Sequence, residues 1–557
     1  MGVIQQGRMA LSTEDGTGEN APVEVDVAAP EEAPPEQDRR RVTRRYLERV
    51  LWNCAKILRG NAKAEKYKDY VFGLLLLKRC SDQFEEARER VIEELTAGGL
   101  TPEQAQEEAE DFRHYDNRTT LYVPAGARWS EINDWTQDIG NRLNQAKNAL
   151  AHHNPRVRDV LIGSTIDFLA PPGGGSESIG SEDYRELIIE LRKVPLRDRN
   201  LEFPDVLGAA YEYMIKHFAE SSGDKGGEFY TPREVVRMMV RILEPQNGDR
   251  IYDPTSGSAG MLIHSHQSVE MSGDATNVML YGQEKMGGVW AISEINMIFH
   301  SIPSTVYKLA QGDTLRTPRH KEVGGRLMQF ERIIANMPFS MDYNPDLLGY
   351  PGRFVYGLPP STTADWLFIQ HMMASLAPGG RIVTVASNAV LFKGDTEGVI
   401  RTGVVGDGWV ECVIALPEKL FYNTGVPACI LVLSRPEDRE ERRRDSILFI
   451  NAEHSFIKQR AQNVIGEEHA QKICESYLSW TAIEDFSKIV PRAELSGECS
   501  LNVRQYIDAT PPAAGHDVRA HIAGGVPKAE VEEHREMLER HGIAPESIFV
   551  DFEEVGG

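Results

Sequence analysis

From position 46 the apolar residues recur every three or four places. Leu47, Val50, Leu51, Cys54, Ile57 and Leu58 mark one face of a helix. Tyr70 to Leu77 with Cys80 predicts a second helix, apolar nearly all round and therefore buried. Residues 111–167 continue in amphipathic pieces, and Pro171-Pro172-Gly173-Gly174-Gly175-Ser176 closes this part as a flexible segment. Near Leu201 the period changes. Helical pieces at 206–218 and 232–243 alternate with β-rich runs at 250–253, 278–281, 332–335 and 381–386, which predicts a mainly parallel sheet with helices on both faces. Asp365 to Leu376 reads as a further helix, stopped by Pro378-Gly379-Gly380. Two late runs, Val410 to Leu416 and Ala428 to Leu433, suit an antiparallel strand added at the sheet's edge. Beyond about 437 the chain is charged and more helical, with a solvated helix predicted to begin at Pro527.

Composition adds a tail and removes several classes. Residues 1–42 are rich in Glu, Asp, Pro, Ala and Gly and are expected to be disordered, since they hold too few large apolar groups to offset the entropy of ordering. The organisation expected is therefore a tail at 1–42, a helical domain at 43–200, an α/β domain at 201–436 and a helical, partner-contacting region at 437–557. Against 61 Lys and Arg stand 84 Asp and Glu, a net charge of −23, whereas a protein that grips DNA unaided presents a basic face. The runs at 39–45 and Arg442-Arg443-Arg444 are flanked by acids and read as solvated surface. If DNA is the substrate, a partner supplies much of the phosphate contact. No stretch is apolar enough to span a bilayer, and the start lacks the pattern of a secretory signal. The six cysteines form no C-x-x-C pair, which suggests neither a zinc site nor a disulfide framework and makes a reducing cytoplasm the natural setting.

Candidate chemistry gathers at predicted strand ends. Asp253 closes a strand, and Gly257-Ser258-Ala259-Gly260 then opens a helix. This arrangement lets backbone approach a ligand and offers free N–H groups to a carboxylate, although it is also an ordinary strand-to-helix turn. Glu284 ends the next strand, where a doubly wound fold places an acid for two ribose hydroxyls. Asp313 is either an acceptor for an adenine amine or turn chemistry after Gly312. Thr231 and its neighbours either cap the helix starting at Pro232 or also hold the methionine end of S-adenosylmethionine. Asn336-Met337-Pro338-Phe339 follows the strand 332–335. The Asn336 side-chain oxygen and the Met337 carbonyl can accept the two hydrogens of a planar amine and expose its lone pair for methylation. Phe339 would stack on a base, a contact of about 1–3 kcal/mol in nucleic-acid sites, and Pro338 would stiffen the turn. A base inside a duplex reaches such a pocket only by flipping.

These residues resemble the methylation subunit of type I restriction-modification systems, among the adenine amino-methyltransferases of DNA. The resemblance runs from Leu51-Trp52 and Tyr70-Val71-Phe72-Gly73-Leu74 through Gly227 to Arg233, the Asp253 loop, the Asn336 tetrapeptide and Phe421 to Pro427, to Leu501-Asn502-Val503-Arg504-Gln505-Tyr506. It implies a Rossmann-like S-adenosylmethionine-dependent methyltransferase sheet with a helical N-terminal domain and a helical C-terminal extension. It further implies cofactor contacts from Glu228, Phe229, Tyr230, Thr231, Pro232, Arg233, Asp253, Ser258, Ala259, Gly260, Glu284 and Asp313, with Asn336, Met337, Pro338 and Phe339 as the catalytic turn. The implied partners are DNA, a specificity subunit, a restriction subunit and a second copy of this chain. No Walker-type G-x-x-x-x-G-K-[ST] loop occurs, so nucleotide hydrolysis is not expected here. Two departures stand out: Met337 where the family usually has Pro, and Ala259 where Gly is frequent, a change that costs little if its φ is negative. Methylation of cytosine N4, RNA or a protein glutamine, and a non-catalytic subunit binding DNA or cofactor, remain the alternatives.

Overall fold

The computed structural model describes residues 3–6, 41–58, 64–115, 120–162, 166–169, 179–202, 210, 214, 231–273, 277–300, 302–421, 426–458, 463–495, 499–507, 525–527, 531, 532, 535, 538 and 544–552. The Pro171 to Ser176 segment and Glu228, Phe229 and Tyr230 lie outside these. The chain divides into two compact units, 32–507 and the pair of termini 1–31 and 508–557.

In the terminal unit a three-stranded antiparallel sheet has Val3–Gln6 at its centre, between Gly525–Pro527 and Phe549–Phe552. Four residues of the segment expected to be a disordered tail thus form a strand, Val3, Ile4 and Gln5 paired on both sides and Gln6 on one. Pro527 ends a strand instead of starting a helix; the helical residues described after it are Val531, Glu532, Arg535 and Leu538.

The larger unit opens with helices. Arg44–Leu58 buries Leu47, Val50, Leu51, Cys54 and Leu58, the periodic face read from sequence, and Ala64–Ala97 buries the run from Tyr70 to Leu77. Ile139–His153 and Ser181–Arg192 pack into the same apolar core. That core does not close at residue 200. Ala291, Ile292, Ile295, Ile298 and Phe299, from the helix Gly287–Phe299 of the α/β part, belong to it, so the helical domain is completed by a helix from beyond residue 200.

The sheet has nine strands, here β1 Arg250–Asp253, β2 Met279–Glu284, β3 Tyr307–Gln311, β4 Phe330–Asn336, β5 Leu376–Ser387, β6 Val410–Ala415, β7 Ala428–Leu433, β8 Ser446–Asn451 and β9 Ser487–Pro491. Their order is β9-β8-β6-β7-β5-β4-β1-β2-β3. All run one way except β7, antiparallel to both β5 and β6, and β9, antiparallel to β8. Two expectations are corrected here. The antiparallel strand β7 is interior, not at the edge. The boundary at 437 cuts the sheet, because β8 pairs in parallel with β6 and β9 follows it, so the region expected to be helical contributes two strands around the helix Glu467–Ser479. Ile447, Leu448, Phe449 and Ile450 are fully buried, which explains a short continuous apolar run amid charged sequence.

Candidate active site

β1 lies between β2 and β4, and the crossovers leave it in opposite directions, which opens a crevice beyond the carboxyl ends of these strands. Asp253 ends β1, Glu284 ends β2 and Asn336 ends β4. Thr231, Asp253, Ser256, Gly257, Ser258 and Asn336 line this crevice.

The loop after β1 folds back over β2. Its Ser256 N–H donates to the Gln283 carbonyl (3.0 Å), and Gly257 N–H donates to Glu284 Oε2 (3.0 Å). This approach requires Gly282, where a Cβ would sit 2.6 Å from the Leu309 side chain and 2.9 Å from the Ser256 hydroxyl. Asn296, buried on the helix Gly287–Phe299, pins the loop by donating to the Ser258 carbonyl (3.0 Å). Ala259 is fully buried with φ 66°, so the departure from glycine falls in the left-handed region and not in the negative-φ conformation that would make it harmless.

Glu284 also accepts from Met286 N–H (2.8 Å), which fixes the carboxylate at the strand end; a carboxylate has lone pairs for further donors. Burial, with Glu284 adding repulsion, raises Asp253 to about 7 against the pull of the Thr255 N–H at 3.0 Å. No cation is paired with Asp253 among the described residues. Two acids and the N-terminus of the helix Gly260–Met271 around one crevice fit a ligand that carries positive charge, hydroxyls and a carboxylate, as S-adenosylmethionine does. The Ser256 hydroxyl, buried without a hydrogen-bond partner among the described residues, adds a polar group at the same place.

Asp313 lies just past β3. Its carboxylate accepts from the Leu315 and Arg316 N–H groups (3.0 and 3.2 Å) and faces Lys285 Nζ at 3.2 Å, so the turn role read from sequence is present in the structure. Thr314 Oγ1 donates to the Pro254 carbonyl (2.6 Å) and ties this loop to the one after β1. The buried Arg353 guanidinium donates to the carbonyls of Thr314 and Leu315 and to His371 Nδ1 (2.6 Å), while His371 Nε2 lies 3.1 Å from the Tyr252 hydroxyl. Arginine only donates, so Nδ1 accepts and Nε2 carries the proton. Burial and the adjacent Arg353 hold the His371 pKa well below its usual value. Nothing in the local sequence pattern around Arg353 and His371 singles them out.

Thr231 does not cap the following helix. Pro232 occupies the cap position of Arg233–Leu243, and Thr231 Oγ1 instead accepts from Asn336 Nδ2 at 2.8 Å. Thr255 Oγ1 donates to the Asn336 backbone carbonyl (3.2 Å), so both ends of this residue are tied to the crevice. Met337 is fully buried, and Phe339, 8% exposed, meets Phe421 edge to face with ring centroids 6.3 Å apart. The predicted site residues described in the structure therefore converge on one end of the sheet, while Arg233 stands at the first turn of its helix.

A sheet of this topology, with an acid closing β2 and an Asn-Met-Pro-Phe turn closing β4, defines an S-adenosylmethionine-dependent amino-methyltransferase. Comparison with known proteins narrows the class. The N-6 DNA Methylase model matches residues 202–513 and the HsdM N-terminal domain model matches 47–174. The type I restriction enzyme MjaVII methylase subunit of Methanocaldococcus jannaschii is 31% identical over 84% of this chain and 78% of its own length. The MjaIX methylase subunit of the same organism is 28% identical over 80% of this chain and 79% of its own. The crystal structure of the type I restriction-modification methyltransferase subunit from Streptococcus thermophilus superposes with a TM-score of 0.70 at 25% identity, covering 84% of this chain and 100% of that one. The chain thus belongs to the N-6 DNA methylase family, among the methylase subunits of type I restriction enzymes. Its activity is methylation of adenine N6 in DNA from S-adenosylmethionine, a reading these relatives favour over cytosine, RNA or glutamine as acceptor and over a non-catalytic role.

Proposed function

We propose that the Asn336–Phe339 turn performs the transfer on a flipped adenine, in an assembly where a separate specificity subunit selects the site. S-adenosylmethionine supplies an electrophilic methyl group on a sulfonium. The chain's task is to present the amine to it. With its Nδ2 donated to Thr231, the Asn336 amide turns Oδ1 to the opposite side, where it accepts one amine hydrogen as the Met337 carbonyl accepts the other. The two acceptors draw the nitrogen toward tetrahedral geometry and localise its lone pair, so no strong base is needed before transfer, and the proton leaves afterwards. Phe339 holds the face of the base, and Asp253, Glu284 and the Gly257 to Gly260 loop hold the cofactor. Glu228 to Tyr230 are assigned to its methionine end by resemblance alone.

The observation that carries this reading is the double tether of Asn336, through its amide to Thr231 and through its carbonyl to Thr255, at the lip of the crevice that holds the two acids. The acidity of the chain supports the assembly: DNA, the specificity subunit, a restriction subunit and a second copy are its proposed partners, and the cytoplasm its compartment. The test is transfer of labelled methyl groups to DNA by the assembled complex, with product nucleosides separated. Label is expected in N6-methyladenine. Asn336→Ala is expected to lower turnover by about 10² or more while cofactor affinity, from calorimetry, stays within about twofold. Equal loss of both would make the turn structural.

A further inference from the structure

The residue after the tetrapeptide, Ser340, has φ 49°, a left-handed conformation that is strained for an L residue and needs something to hold it. Its N–H donates to Asp365 Oδ1 at 2.7 Å. Asp365, the first residue of the helix Asp365–Ala374, is 1% exposed. The same carboxylate accepts from the Thr363 hydroxyl at 3.4 Å and, through Oδ2, from the Ser387 hydroxyl at 3.0 Å. Ser387 ends β5, two residues past Val385, which pairs with Asn336. The carboxylate is thus built into the end of the sheet from which the turn departs.

No Lys or Arg pairs with Asp365 among the described residues. Burial, with Glu397 adding to it, raises its pKa. A buried carboxylate without a cation is a costly choice for stability, where an apolar residue of similar volume would serve better. What it provides is an acceptor fixed by two hydroxyls and aimed at one backbone N–H. The turn is tied at its entry by Thr255 and Thr231 on Asn336 and at its exit by Asp365 on Ser340. Between them the Pro338 ring sets its own φ and confines ψ of Met337 to the extended region, but no ring fixes φ of Met337, so the aim of the Met337 carbonyl still depends on the two ends.

We propose that Asp365 is a positioning residue for methyl transfer, clamping the exit of the Asn336–Phe339 turn through the Ser340 amide so that the Met337 carbonyl keeps its aim. The inference rests on the reading of that turn as the catalytic one. The experiment compares Asp365→Ala, Asp365→Asn and Asn336→Ala in the assembled complex, by turnover on DNA, cofactor affinity and thermal midpoint. Asp365→Ala is expected to lower turnover about 30-fold with cofactor affinity within about twofold. Asp365→Asn, which keeps an oxygen facing the Ser340 N–H and removes the charge, is expected to return turnover to within about threefold of the parent. If Asp365→Ala does not fold, Asp365→Leu keeps the volume without the acceptor and carries the same expectation. Parent-like turnover in Asp365→Ala, equal losses in the Ala and Asn variants, or cofactor affinity falling in step with turnover would each overturn the clamp. Retained turnover in Asn336→Ala would instead overturn the reading of the turn.

Discussion

Ala259 holds a left-handed backbone with its methyl group fully buried, and the two effects oppose each other. The conformation costs about 1–2 kcal/mol, and burial of the methyl returns about 0.8 kcal/mol. Ala259→Gly is therefore expected to change stability by less than about 1 kcal/mol. Ala259→Val, whose branched carbon crowds the carbonyl in this region, should cost about 2–3 kcal/mol. It should also weaken the cofactor, since the N–H of residue 259 closes the loop on the Ser256 carbonyl at 2.7 Å. Urea unfolding and calorimetry test both variants; equal stability of Val and Gly at this position would show that backbone strain is not the controlling term. At this scale the site was partly legible. Asp253, Glu284 and Asn336 each end an apolar run, and a strand end is where a parallel sheet presents side chains to a ligand. The role of Thr231 was not legible, because a hydroxyl one place before Pro232 reads as a cap and its actual partner lies 105 residues away. Arg353 and His371, the latter on the helix Asp365–Ala374, form their network between segments that no local pattern connects.

Between elements, the same limit decides what could be read. The alternation of helical and β-rich runs carries four strands of the parallel core, β1, β2, β4 and β5, each an apolar run of its own; β3, mostly half-buried or exposed, is not among them. Which strand neighbours which is set by long-range pairing, so β7 was assigned to an edge although β6 lies beyond it. β8 was hidden between Arg442-Arg443-Arg444 and the polar residues after 451. Of those arginines Arg442 and Arg444 are exposed, as a solvated run would be, and Arg443 is the exception. Arg443 is buried, pairs with Glu411 Oε1 at 3.2 Å and stacks over Tyr477 and Trp480, while Arg442 pairs with Glu440. Glu411, on β6, also accepts from Tyr477 (3.0 Å) and Ser434 (2.7 Å), with Arg439 at 3.9 Å. Burial alone would raise its pKa, but Arg381 and Arg439, with the Ser434 hydrogen bond, outweigh it and lower the pKa. A lowered carboxyl pKa contributes stability that is present above the unfolded value of about 4.3 and lost as pH falls through the folded one. Glu411→Ala leaves two buried guanidinium groups uncompensated and should destabilise by about 3–5 kcal/mol at neutral pH. Denaturant unfolding of the variant across pH is the measurement. Its deficit should shrink as the solution becomes acidic enough to protonate Glu411 in the parent; a deficit independent of pH would mean that packing, not charge, joins β6 to the 439–443 segment.

For the whole molecule, net charge decides how it meets DNA. An excess of 23 negative charges repels the duplex at long range, and among the described residues several basic side chains that would offset it locally are engaged within the fold: Arg44 with Glu48, Arg442 with Glu440, Arg443 with Glu411 and Arg504 with Glu453. Adenine methylation nevertheless requires the duplex to be held while one base leaves the stack, at a cost of a few kcal/mol. That energy has to come from phosphate contacts, each of which releases counterions and gives the affinity a dependence on salt of about 0.9 per phosphate neutralised. The isolated chain is therefore expected to bind a duplex more weakly than about 10⁻⁴ M at physiological salt, with a slope of log affinity against log salt near zero. Once the specificity subunit is added, both a measurable affinity and a steep slope should appear together, because the same partner then supplies the cations. Fluorescence anisotropy of a labelled duplex over a salt series separates the cases. Tight, salt-sensitive binding by the isolated chain would mean that it carries a phosphate-binding face of its own, and the partner's contribution would then be confined to choosing the sequence.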